Sequence, residues 1–136
     1  MGSLVLDASV AISAVLEEDK SDLARAILLR VAEAGATVPN LWHLEVGHTL
    51  LIAERRRKID VMRRQEIQTL LLDLPITVDP ETSSRAMRDT AALATQYRLT
   101  VYDAAYLELS RRLELPLATF DGDLRRAARA ISVALA

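Results

Sequence analysis

Apolar positions change their spacing several times along this chain, and each change marks an element. Residues 3–6, SLVL, form a short apolar run that stops at Asp7, and the next segment, ASVAISAVL, has helical spacing. That opening predicts strand, acidic turn and helix. A second helix is expected over about 19–34, ending near Gly35, where a glycine closes helices readily. TVP at 37–39 reads as a second brief strand, and residues 41–57, LWHLEVGHTLLIAERRR, as a long helix with an apolar first half and a basic end. Asp60 is placed to cap a further helix reaching about Asp73, with Ile67, Leu70, Leu71 and Leu74 at core spacing. PITVDP then predicts a third strand, 81–97 and 102–114 two amphipathic helices, LPLATF at 115–120 a fourth strand, and Asp121 the start of a last helix. The tail ISVALA is β-branched enough for a fifth strand, with a continued helix as the alternative.

Short apolar strands alternating with helices predict an α/β sandwich around a buried parallel sheet of about five strands. A length of 136 residues with 51% hydrophobic positions suits one domain over 1–136 with a single core. No apolar stretch is long enough to span a membrane and the N-terminus lacks the pattern of a signal peptide, so the cytoplasm is the expected location. The absence of cysteine removes thiolate metal sites and cysteine nucleophiles, and two histidines leave any metal site to oxygen ligands. A net charge of -2 argues against coating nucleic acid by bulk electrostatics. The basic residues are nonetheless distinctive: only Lys20 and Lys58 are lysines, and arginines cluster at Arg55-Arg56-Arg57, Arg63-Arg64, Arg111-Arg112 and Arg125-Arg126. Arginine forks match phosphate oxygens, although each cluster reads equally well as a solvated helix face.

The carboxylates carry the candidate chemistry. Asp7 and Asp121 each follow an apolar strand directly, at the strand ends where parallel sheets gather their ligands. Either alone reads as a helix cap; adjacent strands would make them a pair. Glu45 lies about 40° round its helix from Leu41 and about 20° from Ile52, inside the apolar sector, where a carboxylate needs a cation, a proton or an arginine partner. His48 is one turn further on, as a core histidine, a donor to Glu45 or a substrate contact. Asp103 opens the helix VYDAAYLELS, where capping would explain it, and Asp123 extends the acidic pattern of FDGDL. Three or four crowded carboxylates raise one another's pKa unless a divalent cation neutralises them. Magnesium, or manganese with the same ligand preferences, would bridge such a cluster to phosphate and activate water for in-line attack.

Taken together, LVLDASVAI, LWHLEVGHTL, LTVYDAAYLELSRR and LPLATFDGDLRRAA stand in the order and approximate spacing of the PIN-domain ribonucleases, and the chain resembles in particular the VapC toxins of toxin-antitoxin pairs. The resemblance implies that Asp7, Glu45, Asp103 and Asp121 form an acidic catalytic quartet that binds Mg2+ or Mn2+, with Asp123 near the metal and Ser9 and Thr119 as hydroxyls orienting ligands or waters. It further implies RNA hydrolysis to a 5′-phosphate and a 3′-hydroxyl, homodimers, and inhibition by a cognate VapB-like antitoxin. His48 departs from the asparagine that such relatives carry one turn after the glutamate. A receiver domain would need an acidic pair after the first strand and a late lysine, and a haloacid-dehalogenase-type phosphatase would need two aspartates one residue apart; Asp7-Ala8-Ser9 supplies neither. The remaining alternatives are a catalytically silent module of the same fold that binds RNA or protein, and a housekeeping RNA-processing nuclease. Few aromatics, namely Trp42, Phe120 and three tyrosines, leave no broad platform for base stacking.

Overall fold

The computed structural model describes residues 2–16 and 20–136. Four short strands form one parallel sheet in the order β3-β2-β1-β4: β1 Val5–Leu6, β2 Ala36–Val38, β3 Ile76–Val78 and β4 Leu117–Ala118. β1, β2 and β4 are buried along their whole length, which is why their sequences run continuously apolar instead of alternating. Val5 and Leu6 pair with Leu117 and Ala118, so Asp7 and Thr119 leave the sheet side by side; Asp7 N–H still donates to the Ala118 carbonyl at 2.9 Å.

The fifth strand expected from ISVALA is absent. Residues 131–133 are consumed by a turn, with Ser132 at φ 62° and the Val133 N–H returned to the Ala128 carbonyl. The last residues reach β4 only through a single parallel bridge, Leu117 to Leu135. Among the described residues four strands therefore make up the sheet.

The helices are α1 Ala8–Val15, α2 Ser21–Ala34, α3 Trp42–Arg55, α4 Val61–Leu72, α5 Thr82–Arg85, α6 Ala91–Tyr97, α7 Val101–Leu113 and α8 Gly122–Ala130. The expected start of the second helix at 19 lies outside the described residues. α2 does close on Gly35, whose φ of 77° and ψ of 170° belong to a region only glycine enters freely. Asp60 caps α4 by accepting from the Arg63 N–H at 2.7 Å. The helix expected over 81–97 runs without a gap from 82 to 97, with a π turn, Ala86–Thr90, inserted between α5 and α6.

Chain direction sorts these helices into two layers. β1 to β2 to β3 steps one way across the sheet and the return from β3 to β4 crosses the other way, so right-handed crossovers put α1–α4 on one face and α5–α7 on the opposite face, where α8 packs on α7. Packing agrees, with α1 against α2 and α3, α3 against α4, and α7 against α6, α8, β1 and β4. Trp42, Leu50, Leu4, Leu6, Leu107, Leu109 and Leu117 are fully buried between the layers. Because the chain reverses its sense on either side of β1, a topological switch point falls between the carboxyl ends of β1 and β4, the place where open parallel sheets form their binding crevice. Among the described residues no helix is long and apolar enough to cross a membrane.

Candidate active site

Asp7 stands at that switch point, only 5% exposed. It occupies the N-cap position of α1, yet its carboxylate makes no capping bond. Two hydroxyls hold it instead: Ser9 Oγ and Thr119 Oγ1 each donate to Asp7 Oδ2 at 2.7 Å. The same hydroxyls organise the loop after β4, since Ser9 Oγ accepts from the Phe120 N–H and Thr119 Oγ1 from the Asp121 N–H. Asp121 is a true cap, its Oδ2 accepting from the Leu124 N–H at 2.8 Å. The capping reading thus fails at Asp7 and holds at Asp121.

It also fails at Asp103. Thr100 caps α7, and the Asp103 N–H donates to the Thr100 hydroxyl at 3.0 Å, leaving the Asp103 side chain one turn inside the helix and half-buried. Glu45, on the first turn of α3, is half-buried as well. Neither an arginine nor a histidine is its partner: the Tyr106 hydroxyl donates to Glu45 Oε1 at 2.6 Å. Tyr106 is fully buried and sits three residues after Asp103, so α7 offers a carboxylate and a phenol from neighbouring turns.

These acids also act on one another electrostatically. Burial pushes the Asp7 carboxyl above its usual range, partly offset by Ser9 and Thr119, and the charge of Asp121 pushes it further. Burial also raises Glu45 and Asp103; Asp7 and Asp103 add to the first, and Asp121, Asp7 and Asp123 to the second. Tyr106 is held neutral by burial and by the Glu45 charge beside it, so it keeps the proton that it donates to Glu45. Among the described residues no arginine or lysine pairs with Asp7, Glu45, Asp103 or Asp121.

The donor set suits a hard divalent cation: all oxygen, mutually repelling and, among the described residues, without an ion-pair partner. Among the described residues no three acidic or histidine side chains close round one point as a ready-made cage. Magnesium does not require one, because it keeps several waters and takes only one or two carboxylates directly. Asp123 lies at the margin, exposed and ion-paired to Arg126. His48 is exposed and makes no hydrogen bond to Glu45, which removes both the core role and the donor role.

The arginine clusters divide. Arg112 donates to Asp79 and Glu108 in a largely buried network, Arg64 pairs with Glu54, Arg63 with Glu66, and Arg125 donates to the Thr119 carbonyl at 2.9 Å. Arg55, Arg56, Arg57 and Arg111 remain exposed. Beside the acids, Lys20 Nζ lies over the Phe120 ring, 5.4 Å from its centroid. Sequence reasoning misses Tyr106, Thr100 and the Arg125 brace; the spacing of three between Asp103 and Tyr106 is the available signal for the first.

Comparison with known proteins points to the same family. The PIN domain family matches residues 4–130. Two relatives, each named Ribonuclease VapC1 and coming from two strains of Mycobacterium tuberculosis, are 33% identical over 134 residues, covering 94% of this chain and 91% of theirs. The crystal structure of PAE2754 from Pyrobaculum aerophilum superposes with a TM-score of 0.70 over 93% of this chain and 79% of that one, at 20% identity, a likeness of fold. The chain belongs to the PIN-domain family, as a relative of the VapC ribonucleases.

Proposed function

We propose that this chain is a metal-dependent endoribonuclease, the toxin of a toxin-antitoxin pair, with Asp7, Glu45, Asp103 and Asp121 as its catalytic carboxylates. One observation carries the reading. Acids from the end of β1, α3 and α7 face the switch point of the sheet with the loop after β4, Asp7, Glu45 and Asp103 are each raised by burial and by neighbouring carboxylate charge, and none of the four has a basic partner among the described residues. Such an arrangement is unfavourable for folding and suits a site that binds cation and phosphate. Kinship with proteins named ribonuclease supports RNA as the substrate.

Asp7, Asp103, Asp121 and Glu45 would hold Mg2+ or Mn2+, with Asp123 at the edge; when bound, such an ion supplies Lewis-acid polarisation of the phosphodiester and a water of lowered pKa. The chain's own residues do the positioning. Ser9 and Thr119 fix the Asp7 carboxylate through a single oxygen, Oδ2. The Tyr106 hydroxyl orients Glu45 and stabilises its charged form. Arg125 braces the Thr119 carbonyl and so the loop joining Asp7's hydroxyl partner to Asp121. No side chain is required as a covalent nucleophile. A VapB-like antitoxin and a second copy of the chain complete the proposed set of partners.

The test is induction of the chain in bacterial cells. Growth should arrest as RNA fragments with 5′-phosphate ends appear, and Asp103→Asn should do neither. Equal toxicity of Asp103→Asn, or arrest without new RNA ends, would remove the nuclease assignment.

A further inference from the structure

A cavity opens beyond the carboxyl ends of β2 and β3, between the start of α3, the π turn and the start of α7, with a volume of about 200 Å³ and a mostly apolar lining. Thr82, Thr90 and Ala105 are its buried lining, Leu41 and Ala86 its half-buried flanks. Tyr102 also lines it, yet is 67% exposed, and it immediately precedes Asp103. Tyr102 and Asp103 thus leave the first turn of α7 as consecutive residues, one lining the cavity and the other in the acidic site.

Its chemistry is that of a slot for one flat ring. Tyr102 presents an exposed aromatic face beside an apolar space, the arrangement on which unpaired bases stack. Asn40 and Ser83 line the same cavity; the Asn40 amide donates to the Ser83 hydroxyl at 3.0 Å, which leaves the Asn40 carbonyl oxygen as an acceptor for a ring edge. The backbone is shaped for the space as well. A π turn within the helix over 82–97 runs from Ala86 to Thr90, both in the lining, and π turns recur at functional sites.

We infer that this cavity is a nucleobase subsite, which takes one unstacked base of the RNA against Tyr102 while the neighbouring phosphate lies at the acidic cluster. The inference rests on the ribonuclease reading above and adds to it a source of base selectivity.

The probes are the four nucleoside 5′-monophosphates and, as a ligand without a base, ribose 5-phosphate, each titrated into the full chain while backbone amides are followed by NMR. Nucleotides should shift Tyr102, Thr90 and Ala105, with ribose 5-phosphate leaving them in place. Tyr102→Ala should weaken the nucleotides about tenfold or more, and Tyr102→Phe should restore them, because stacking survives without the hydroxyl. Equal shifts with ribose 5-phosphate, or unchanged affinity in Tyr102→Ala, would overturn the inference. So would conversion of a dimer to a monomer by Tyr102→Ala with nucleotide binding intact, which would assign the cavity to contact between copies. Base-dependent binding in a protein that cleaves no RNA would sustain the subsite and remove the nuclease reading, so the two failures are distinguishable.

Discussion

At the scale of single residues, the acidic site is defined by what each carboxylate lacks as much as by what it holds. Asp7 is buried, receives two hydroxyl donors on one oxygen, and is pushed toward protonation by its surroundings. Asp7→Asn can keep both donors while removing the charge, so it should abolish cleavage without lowering the melting temperature of metal-free protein. A large loss of stability would mean that the negative charge itself supports the fold. Tyr106 invites a different test. Its hydrogen bond lowers the Glu45 pKa against the effect of burial. Tyr106→Phe should therefore shift the acidic limb of the pH-activity profile upward, and an unmoved limb would leave Tyr106 as packing alone.

At the scale of elements, α7 links the site to the scaffold. Its first turns provide the Thr100 cap, Asp103 and Tyr106, and its last turns provide Glu108 and Arg112. Arg112, with its side chain 14% exposed, bonds Asp79 Oδ2 at 2.7 Å and Glu108 Oε1 at 2.8 Å, tying the helix to the loop after β3. Burial alone would raise Asp79, but the Arg112 bonds hold its carboxyl below the usual range. Arg112→Met would strand two buried carboxylates and should cost about 3–5 kcal/mol in denaturant unfolding; a loss under about 1 kcal/mol would show that water reaches them. The sequence signals less of this than of the apolar frame. Strand ends, the Gly35 stop and the Asp60 cap follow from local chemistry and are legible. The Arg112 network joins residues 33 positions apart, and from the sequence Arg112 reads only as part of a basic cluster. Asp103 is open to a capping reading because Thr100 does the same work three residues earlier, and a π turn has no periodic signature that would distinguish 81–97 from an ordinary amphipathic helix. The ISVALA tail reads as a strand because β propensity does not register the turn at Ser132 that uses its first half.

At the scale of the whole molecule, the acidic cluster couples folding to pH and cation. Asp7, Glu45 and Asp103 have pKa values raised by the fold, so the stability they contribute is greatest below the ordinary carboxylate range and is lost as pH rises through their folded values. Asp79, lowered by Arg112, has the opposite sign: its contribution is present above the ordinary range and is lost on acidification through its folded value. Magnesium should therefore raise the melting temperature at neutral pH and have less effect at acidic pH, where Asp7, Glu45 and Asp103 take up protons first. An equal magnesium effect at both pH values would place the ion elsewhere. Away from this centre, the exposed Arg55–Arg57 run ends α3, about 15 Å along the helix from Glu45, where it can meet phosphates flanking the cleaved one. Replacing the three arginines by glutamine should weaken RNA binding and flatten its salt dependence, whereas an unchanged slope would reassign them to solvation or subunit contact.

The measurement closest to the central claim is cleavage of end-labelled cellular RNA by purified protein with magnesium, with manganese and with EDTA. Discrete products that require the metal and carry 5′-phosphate ends, and that vanish in Asp103→Asn, are the expected result. Products that persist in EDTA or in Asp103→Asn would contradict a carboxylate-held metal centre, and no cleavage by antitoxin-free protein in any condition would mark the fold as a silent binding module.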